Sequence, residues 1–237
     1  MFPGHEGDLT SWRIAQLVQH PLPGAFDVTH LLAHHAWIFQ DLPHHRPGQL
    51  RPNAPAHIKT RELELGSRYY VPYAPRSVLA WRLPLVLRSR DVTSWRHLSV
   101  DEFSRHLAAL YADLDYLHPF QEGNSRTLRS FARALAHTVG FHLDWGPTNK
   151  APIRRDELYR ARDRAVLERA FPGLTEDRAM TTDNALEYES WAVLQTLRSG
   201  PSLADIIRSC TTPLAVPPPS LPPPSPGPSR HPRHISA

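Results

Sequence analysis

Residues 118–129, with the sequence HPFQEGNSRTLR, constrain the fold of this chain more than any other stretch, because they form a short polar loop between two predicted helices. Ser99-Val100-Asp101-Glu102 is a capping box, and apolar residues then recur at three- and four-residue steps, which predicts a helix to about Leu117. A second apolar stripe begins at Leu128, and Gly140 is placed as its stop. The chain is therefore predicted to fold here as helix, loop and helix.

The residue types in this loop indicate a site for a polyanion such as a nucleotide phosphate. Free backbone N–H groups at a helix N-terminus already favour an anion. Arg126 and Arg129 would lie in the first turn, where a cation costs about 0.3–1 kcal/mol unless a bound anion offsets it. Glu122 would repel phosphate unless a divalent cation such as Mg²⁺ lies between them. His118 adds a group that exchanges a proton near neutral pH.

The same residues resemble the motif H-x-F-x-[DE]-G-N-G-R-x-x-R of the Fic (filamentation induced by cAMP) domain family. Seven of its eight specified positions are filled, and Ser125 stands where the family has its second glycine. The resemblance implies a protein adenylyltransferase, a nucleotidyltransferase that moves AMP from ATP to a Ser, Thr or Tyr hydroxyl of a target protein. It also implies a base at His118, a core anchor at Phe120, Mg²⁺ at Glu122, and a nucleotide site made of Glu122, Gly123, Asn124, Ser125, Arg126 and Arg129.

Ser125 keeps two alternatives open. Its Cβ narrows the space for phosphate and fits an anion-binding nest only where φ is negative. The first alternative is a Fic-like module that binds a nucleotide or a partner without transfer. The second is a Doc-like protein phosphotransferase, although that branch of the family has lysine at the position of Ser125. The retained His118 favours the adenylyltransferase.

The fold class expected from the periodicities is mainly α, and the resemblance implies a Fic fold, a helical bundle with a small β-hairpin flap beside the active-site loop. The flap is expected near residues 57–71, where a target protein would add as a strand. Within the Fic domain, the resemblance extends to His35, Phe39 and Asp41, to residues 47–51, and to Trp145, Asn149 and Tyr159. The expected division is an N-terminal segment 1–25, a Fic domain 26–210 and a Pro-rich disordered tail 211–237.

Composition argues against several other classes. Of the 27 cationic residues 25 are arginine, and they are scattered among 23 acids, which disfavours nucleic-acid binding despite the net charge of +4. The single cysteine, Cys210, cannot form a disulfide within the chain. The longest apolar stretch, 77–87, is too short for a membrane span. We expect a bacterial cytoplasmic protein, or a toxin or effector delivered into a host cell without an N-terminal signal peptide of the usual kind.

Fifteen histidines raise the question of a metal site. His30 and His34 have helical i, i+4 spacing, and His44 and His45 follow, yet no acid or cysteine is spaced with them as a further ligand. We therefore interpret these histidines as core or solvent-exposed residues and not as metal ligands.

The resemblance also bears on control. Many Fic proteins carry a helix with [ST]-x-x-x-E-[GN], whose glutamate pairs with the motif's second arginine, and no Ser or Thr here begins such a motif. The sequence therefore predicts that Arg129 is free and that restraint comes from a separate antitoxin-like inhibitor or from controlled delivery.

Overall fold

The protein is described by a computed structural model, which covers residues 5–53, 57–88 and 92–215. The helices are α1 His5–Gln19, α2 Val28–Phe39, α3 Arg76–Arg88, α4 Val100–Leu117, α5 Asn124–Thr138, α6 Pro152–Ala170, α7 Glu176–Thr181, α8 Ala185–Leu197 and α9 Leu203–Ser209. The strands are β1 His57–Glu62, β2 Arg68–Tyr73, β3 Phe141–Leu143 and β4 Thr211–Pro213.

The bundle is organised around α4, which contacts α3, α5, α6 and α9. Its start is the predicted capping box, in which the Ser99 side chain accepts from the backbone N–H of Glu102 and the Glu102 side chain accepts from the backbone N–H of Ser99. Its apolar positions, among them Phe103, Leu107 and Leu114, are almost fully buried. Because α4 and α5 each bury a stripe in one core, the loop between them is held at both ends.

The predicted flap is the antiparallel hairpin of β1 and β2, in register from His57 opposite Tyr73 to Glu62 opposite Arg68. Two aspartates of α6 attach it to the bundle. Asp163 accepts from Arg61 Nε and Nη2 at 2.6 and 2.9 Å and from the Tyr69 hydroxyl at 2.9 Å. Asp156 accepts from the backbone N–H groups of residues 64 and 65 at 3.1 and 3.0 Å. The flap is therefore fixed at its strands and at its turn.

Both ends of the described chain pack on the bundle. In the expected N-terminal segment 1–25, α1 packs on α2 and also contacts α5. At the other end β4 pairs with β3, and Leu214 N–H donates to the Gly140 carbonyl at 2.9 Å. The folded part therefore continues past residue 210, whereas residues 216–237 of the expected tail lie outside the described residues. Among the described helices none is long and apolar enough to cross a lipid bilayer.

Candidate active site

The predicted loop lines a cavity of about 350 Å³ between the flap, α5 and α6. The cavity is strongly cationic, since its lining residues include one lysine and four arginines and Glu122 as the single carboxylate. The lining comprises Lys59, Thr60, Arg61, Val71, Tyr73, His118, Glu122, Gly123, Asn124, Ser125, Arg126, Arg129, Tyr159 and Arg162. His118 and the six nucleotide-site residues predicted from the motif therefore line one cavity.

His118 ends α4 in a left-handed conformation, with φ 46° and ψ 62°, which is uncommon for a residue other than glycine. Its side chain is 5% exposed and lies against Tyr73, with ring centroids 3.9 Å apart. Neither ring nitrogen has a hydrogen-bond partner among the described residues. Burial lowers the pKa of His118 well below its ordinary value, and neighbouring cations lower it further. The imidazole is therefore neutral, and neither of its nitrogens is engaged by another described residue.

Arg51 holds the His118 backbone in this conformation. Its guanidinium Nε donates to the His118 carbonyl at 2.8 Å, and Nη2 donates to the Ala74 carbonyl. The Arg51 backbone N–H donates to the Pro119 carbonyl at 2.8 Å. Arg51 is 3% exposed, so these contacts are shielded from water. The segment 47–51 of the predicted resemblance thus positions the loop without touching the cavity.

Phe120 anchors the loop in the core, as predicted, and is fully buried. Its ring stacks on His35 at a centroid distance of 3.8 Å. His35 Nδ1 accepts from the Gly48 N–H at 3.0 Å, so Nε2 carries the proton and donates to the Glu122 carbonyl at 3.1 Å. Burial lowers the pKa of His35 to about 4. The interpretation of His35 as a core histidine is therefore correct, and the ring also fixes the loop.

Asn124 closes the loop through its side chain. Its Oδ1 accepts from the Phe120 N–H at 3.0 Å, and its Nδ2 donates to the Phe120 carbonyl at 2.7 Å. The asparagine that the motif specifies is the first residue of α5, and it fixes the loop through these two hydrogen bonds to the Phe120 backbone.

The turn needs left-handed backbone at Gly123 and not at Ser125. Gly123 is the N-cap of α5 with φ 81°, and a Cβ there would overlap the Phe39 ring. Ser125 lies inside α5, and it is not among the described residues with positive φ. The condition set for Ser125 is therefore met, because left-handed backbone is needed two residues earlier, where glycine is present.

The Ser125 hydroxyl has a partner that the sequence did not predict. It accepts from Arg162 Nη1 at 3.0 Å. The same guanidinium binds Asp115 through two hydrogen bonds of 2.9 Å, and the two side chains are 3% and 1% exposed. The carboxylate raises the pKa of Arg162 above its ordinary value against the opposing effect of burial. Ser125 thus ties the motif helix to a buried ion pair between α4 and α6.

The two motif arginines differ in their partners. Arg126 Nη2 donates to Glu6 Oε1 of α1 at 2.9 Å and Nη1 to the Thr10 hydroxyl at 3.2 Å, with the guanidinium 4.7 Å from the Phe39 ring centroid. Its hydrogen bond to Glu6 lowers the pKa of that carboxyl. Arg129 lies over the Trp145 ring at 5.5 Å, and within the described residues no carboxylate is paired with it.

The pairing of an acid with Arg126 was not predicted from the sequence. The inhibitory motif has a Ser or Thr four residues before its glutamate, and Phe2 occupies that place before Glu6 and Gly7. The glutamate alone would have been the signal, but a single Glu-Gly pair is too common to identify a contact across 120 residues.

Glu122 lies at the cavity rim with its side chain 59% exposed, and its Oε1 is 3.4 Å from Lys59 Nζ on the flap. A single exposed carboxylate beside arginines that can hold phosphate suits Mg²⁺, which binds proteins through one or two carboxylates and takes its other ligands from phosphate and water. The donor set therefore fits the predicted ion at Glu122, provided that Lys59 gives up this contact.

The three further residues of the resemblance, Trp145, Asn149 and Tyr159, do not all reach the cavity. Tyr159 lines the cavity, and Trp145 is buried, its Nε1 donating to the Arg129 carbonyl at 3.0 Å. Asn149 is exposed in a short 3-10 helix and is not among the lining residues. Of the three, Tyr159 alone is thus available to a ligand in this arrangement.

Comparison with known proteins agrees with these observations. Residues 25–136 match the model of the Fic/DOC family. A curated relative, protein adenylyltransferase VbhT of Bartonella schoenbuchensis, is 42% identical over 66 residues, which is 28% of this chain and 13% of that protein. The match therefore covers only a small part of that relative.

Solved structures share the fold. An N-terminal Fic domain of a VirB-translocated Bep effector protein from Bartonella quintana, with bound ADP, has a TM-score of 0.60 at 21% identity over 90% of this chain and 85% of that chain. BepC of Bartonella tribocorum, with bound AMPPNP, has a TM-score of 0.59 at 18% identity over 89% and 86%. The expected Fic fold is confirmed.

Proposed function

We propose that this chain, whose residues 25–136 form a Fic/DOC-family domain, is a protein adenylyltransferase that moves AMP from ATP to a hydroxyl of a target protein. The observation that carries the proposal is His118: a buried, neutral imidazole without a partner among the described residues, in a cavity lined by cations. A buried polar group left unpaired is costly, which favours a role in binding or catalysis. The adenylyltransferase name of the relative VbhT supports the same reaction.

The cations of the cavity suit a triphosphate. Arg61 and Arg162 are each neutralised by a buried aspartate, so the charge available to a ligand lies on Lys59, Arg126 and Arg129. Arg129 can bind phosphate oxygens without losing an ion pair, and Arg126 can do so when it leaves Glu6. Neighbours of the same fold bind ADP and AMPPNP, which supports ATP as the co-substrate.

The proposed reaction is an in-line displacement at the α-phosphorus. The target hydroxyl oxygen forms the new bond, the bond to the β-phosphate breaks, pyrophosphate leaves, and His118 accepts the hydroxyl proton. The negative charge of a bound triphosphate would raise the pKa of His118 from its lowered value, which makes it a better base once the nucleotide is present. Mg²⁺ held at Glu122 would supply charge neutralisation for the phosphates.

The flap is the proposed docking edge for the target. β2 packs on α6 and α8, whereas β1 pairs with β2 on one side and carries Lys59 and Thr60 at the cavity. A target segment that adds to the other side of β1 would be aligned by backbone hydrogen bonds. We further propose that the protein acts in the bacterial cytoplasm or after delivery into a host cell, since the neighbours are VirB-translocated effectors.

The test uses two positions of the label in ATP. The full chain is incubated with lysate, Mg²⁺ and ATP labelled at either the α- or the γ-phosphate, beside His118→Ala and the surface control His137→Ala. We expect protein labelling from the α-position alone, loss of it in His118→Ala and no change in His137→Ala. Labelling from the γ-position would identify a phosphotransferase, and nucleotide binding without either label would identify a binding module.

A further inference from the structure

A second group of convergent side chains includes the Glu6 carboxylate that pairs with Arg126. It consists of Glu6 at the start of α1 and His44 and His45 in a 3-10 helix after α2, and its possible ligand atoms all lie within 4.8 Å of one another. His45 Nε2 is 3.2 Å from Glu6 Oε1, and His44 Nε2 is 3.9 Å from Glu6 Oε2. Sequence spacing concealed the group, because the acid is 38 residues from the first histidine.

Hydrogen bonding accounts for only part of this convergence. The contact of His45 with Glu6 is a hydrogen bond by distance, whereas 3.9 Å between His44 Nε2 and Glu6 is too long for one. The two imidazoles nevertheless turn the same nitrogen toward one carboxylate, with ring centroids 4.5 Å apart. A cation between the three groups would satisfy all of them.

From this geometry we propose that Glu6, His44 and His45 form a binding site for a first-row transition-metal dication, of which Zn²⁺ is the preferred probe. Two imidazoles and one carboxylate, with a fourth position open to water, are a known zinc donor set. Nitrogen ligands favour zinc over Mg²⁺, which prefers oxygen, so this site and the proposed ion at Glu122 would take different metals.

The site needs little rearrangement to bind the ion. Zinc bonds of about 2.0–2.2 Å in a tetrahedron place ligand atoms roughly 3.3 Å apart, close to the 3.2 Å between His45 and Glu6. His45 is 5% exposed and stacks on Phe39 at 4.7 Å, so its ring is held in place. The His44 and Glu6 side chains are 46% and 38% exposed and can close the remaining distance.

Zinc and Arg126 compete for the same carboxylate. Glu6 Oε1 accepts from Arg126 Nη2 at 2.9 Å, and a bound dication would withdraw the charge that stabilises this pair. Occupation of the site would therefore release the first motif arginine toward the cavity. This consequence for a nucleotide rests on the proposed function, whereas binding of the metal does not.

The experiment measures Zn²⁺ binding to the full chain by calorimetry without nucleotide, and uses the visible absorption of Co²⁺ as an independent report on the ligands. His44→Ala and Glu6→Gln alter exposed groups, and the exposed His20→Ala is the matched control. We expect one specific site, at least tenfold weaker in His44→Ala and Glu6→Gln and unchanged in His20→Ala. Arg126→Ala should tighten binding several-fold, because the competitor is gone.

Equal affinity in the wild type, His44→Ala and Glu6→Gln would overturn the site. Weaker binding in Arg126→Ala would overturn the competition. Circular dichroism of each variant establishes that it is folded before its affinity is interpreted. A wild-type chain that binds Zn²⁺ but does not transfer AMP would contradict the proposed function and leave the metal site in place.

Discussion

Helix α6 and the motif loop 118–129 both line the cavity, and the polar side chains of α6 differ in their partners from His118 and Arg126 of the loop. On α6, Asp156, Arg162 and Asp163 each have close partners that fix the flap or α4. On the loop, His118 has none among the described residues, and the carboxylate on Arg126 comes from a partly exposed side chain. The difference separates groups that hold the structure from groups that are free to meet a ligand.

Removing a buried partner of α6 should produce the largest loss of stability. Asp115→Ala leaves Arg162 charged and buried without its carboxylate, and we expect unfolding to become easier by about 3–5 kcal/mol. Asp101→Ala on the same helix removes an exposed partner of Arg208 and should cost about 1 kcal/mol or less. Denaturant unfolding measures both, and equal losses would mean that the buried pair does not support α6.

Mild acid should destabilise the fold because two buried histidines of α2 stay neutral in the folded state. Burial lowers the pKa of His34 to about 3 and that of His35 to about 4, while the unfolded chain titrates near 6.5. The unfolded state therefore binds more protons as the pH falls from about 6.5 to about 4, and stability drops by up to roughly 1.4 kcal/mol per pH unit for each histidine.

Denaturant unfolding at several pH values between 7.5 and 4.5 measures this slope. His34→Gln should reduce it by one histidine's contribution, whatever the variant's absolute stability. A stability that does not change with pH over this range would contradict the assigned neutral state.

Glu122→Ala probes the exposed side of the comparison. If Glu122 holds Mg²⁺, AMP transfer should fall on the order of tenfold to a hundredfold, and added Mg²⁺ should restore only part of it. Stability should hardly change, since the side chain is exposed and its contact is a weak one with Lys59. Glu168→Ala, an exposed acid on α6, is the control, and an unaltered Mg²⁺ dependence in Glu122→Ala would remove Glu122 from the metal site.

Ser125 contacts both regions, and its replacement should have the smallest effect of these changes on the function of the site. Ser125→Gly removes the acceptor of Arg162 Nη1 and places glycine in a helix, and the glycine alone should cost about 0.5–1 kcal/mol. Ser125→Ala removes the hydroxyl without the glycine, so the pair of variants separates the two contributions. Nucleotide affinity should remain within about threefold in both, and a larger change would mean that the hydroxyl itself contacts the ligand.

The sequence predicted the elements that depend on local pattern. The capping box at Ser99 and the helix ends at Leu117 and Gly140 follow from residue type and spacing, whereas the hairpin near 57–71 was implied by the family resemblance, and each is present. The motif likewise predicted that His118, Glu122 and its two arginines belong to one site, and all four line one cavity.

Contacts between distant residues could not be predicted in this way. Arg162 is one of 25 arginines, and nothing in its neighbourhood indicates that it pairs with Asp115 and Ser125. The partnership of Glu6 with Arg126 and the two histidines depends on how α1 packs. The sequence thus indicated which groups are candidates for binding or catalysis, and the packing determined which of them are already paired.

The most direct test of this account measures stability and transfer together for one group from each region. His118→Ala should abolish AMP transfer, by at least about a hundredfold, while the melting temperature changes by a few degrees at most and ATP affinity stays within about tenfold. Asp163→Asn should lower the melting temperature more than His118→Ala does, because Arg61 and Tyr69 lose their charged partner. Retained transfer in His118→Ala, or a parallel loss of stability, binding and transfer in that variant, would contradict the account.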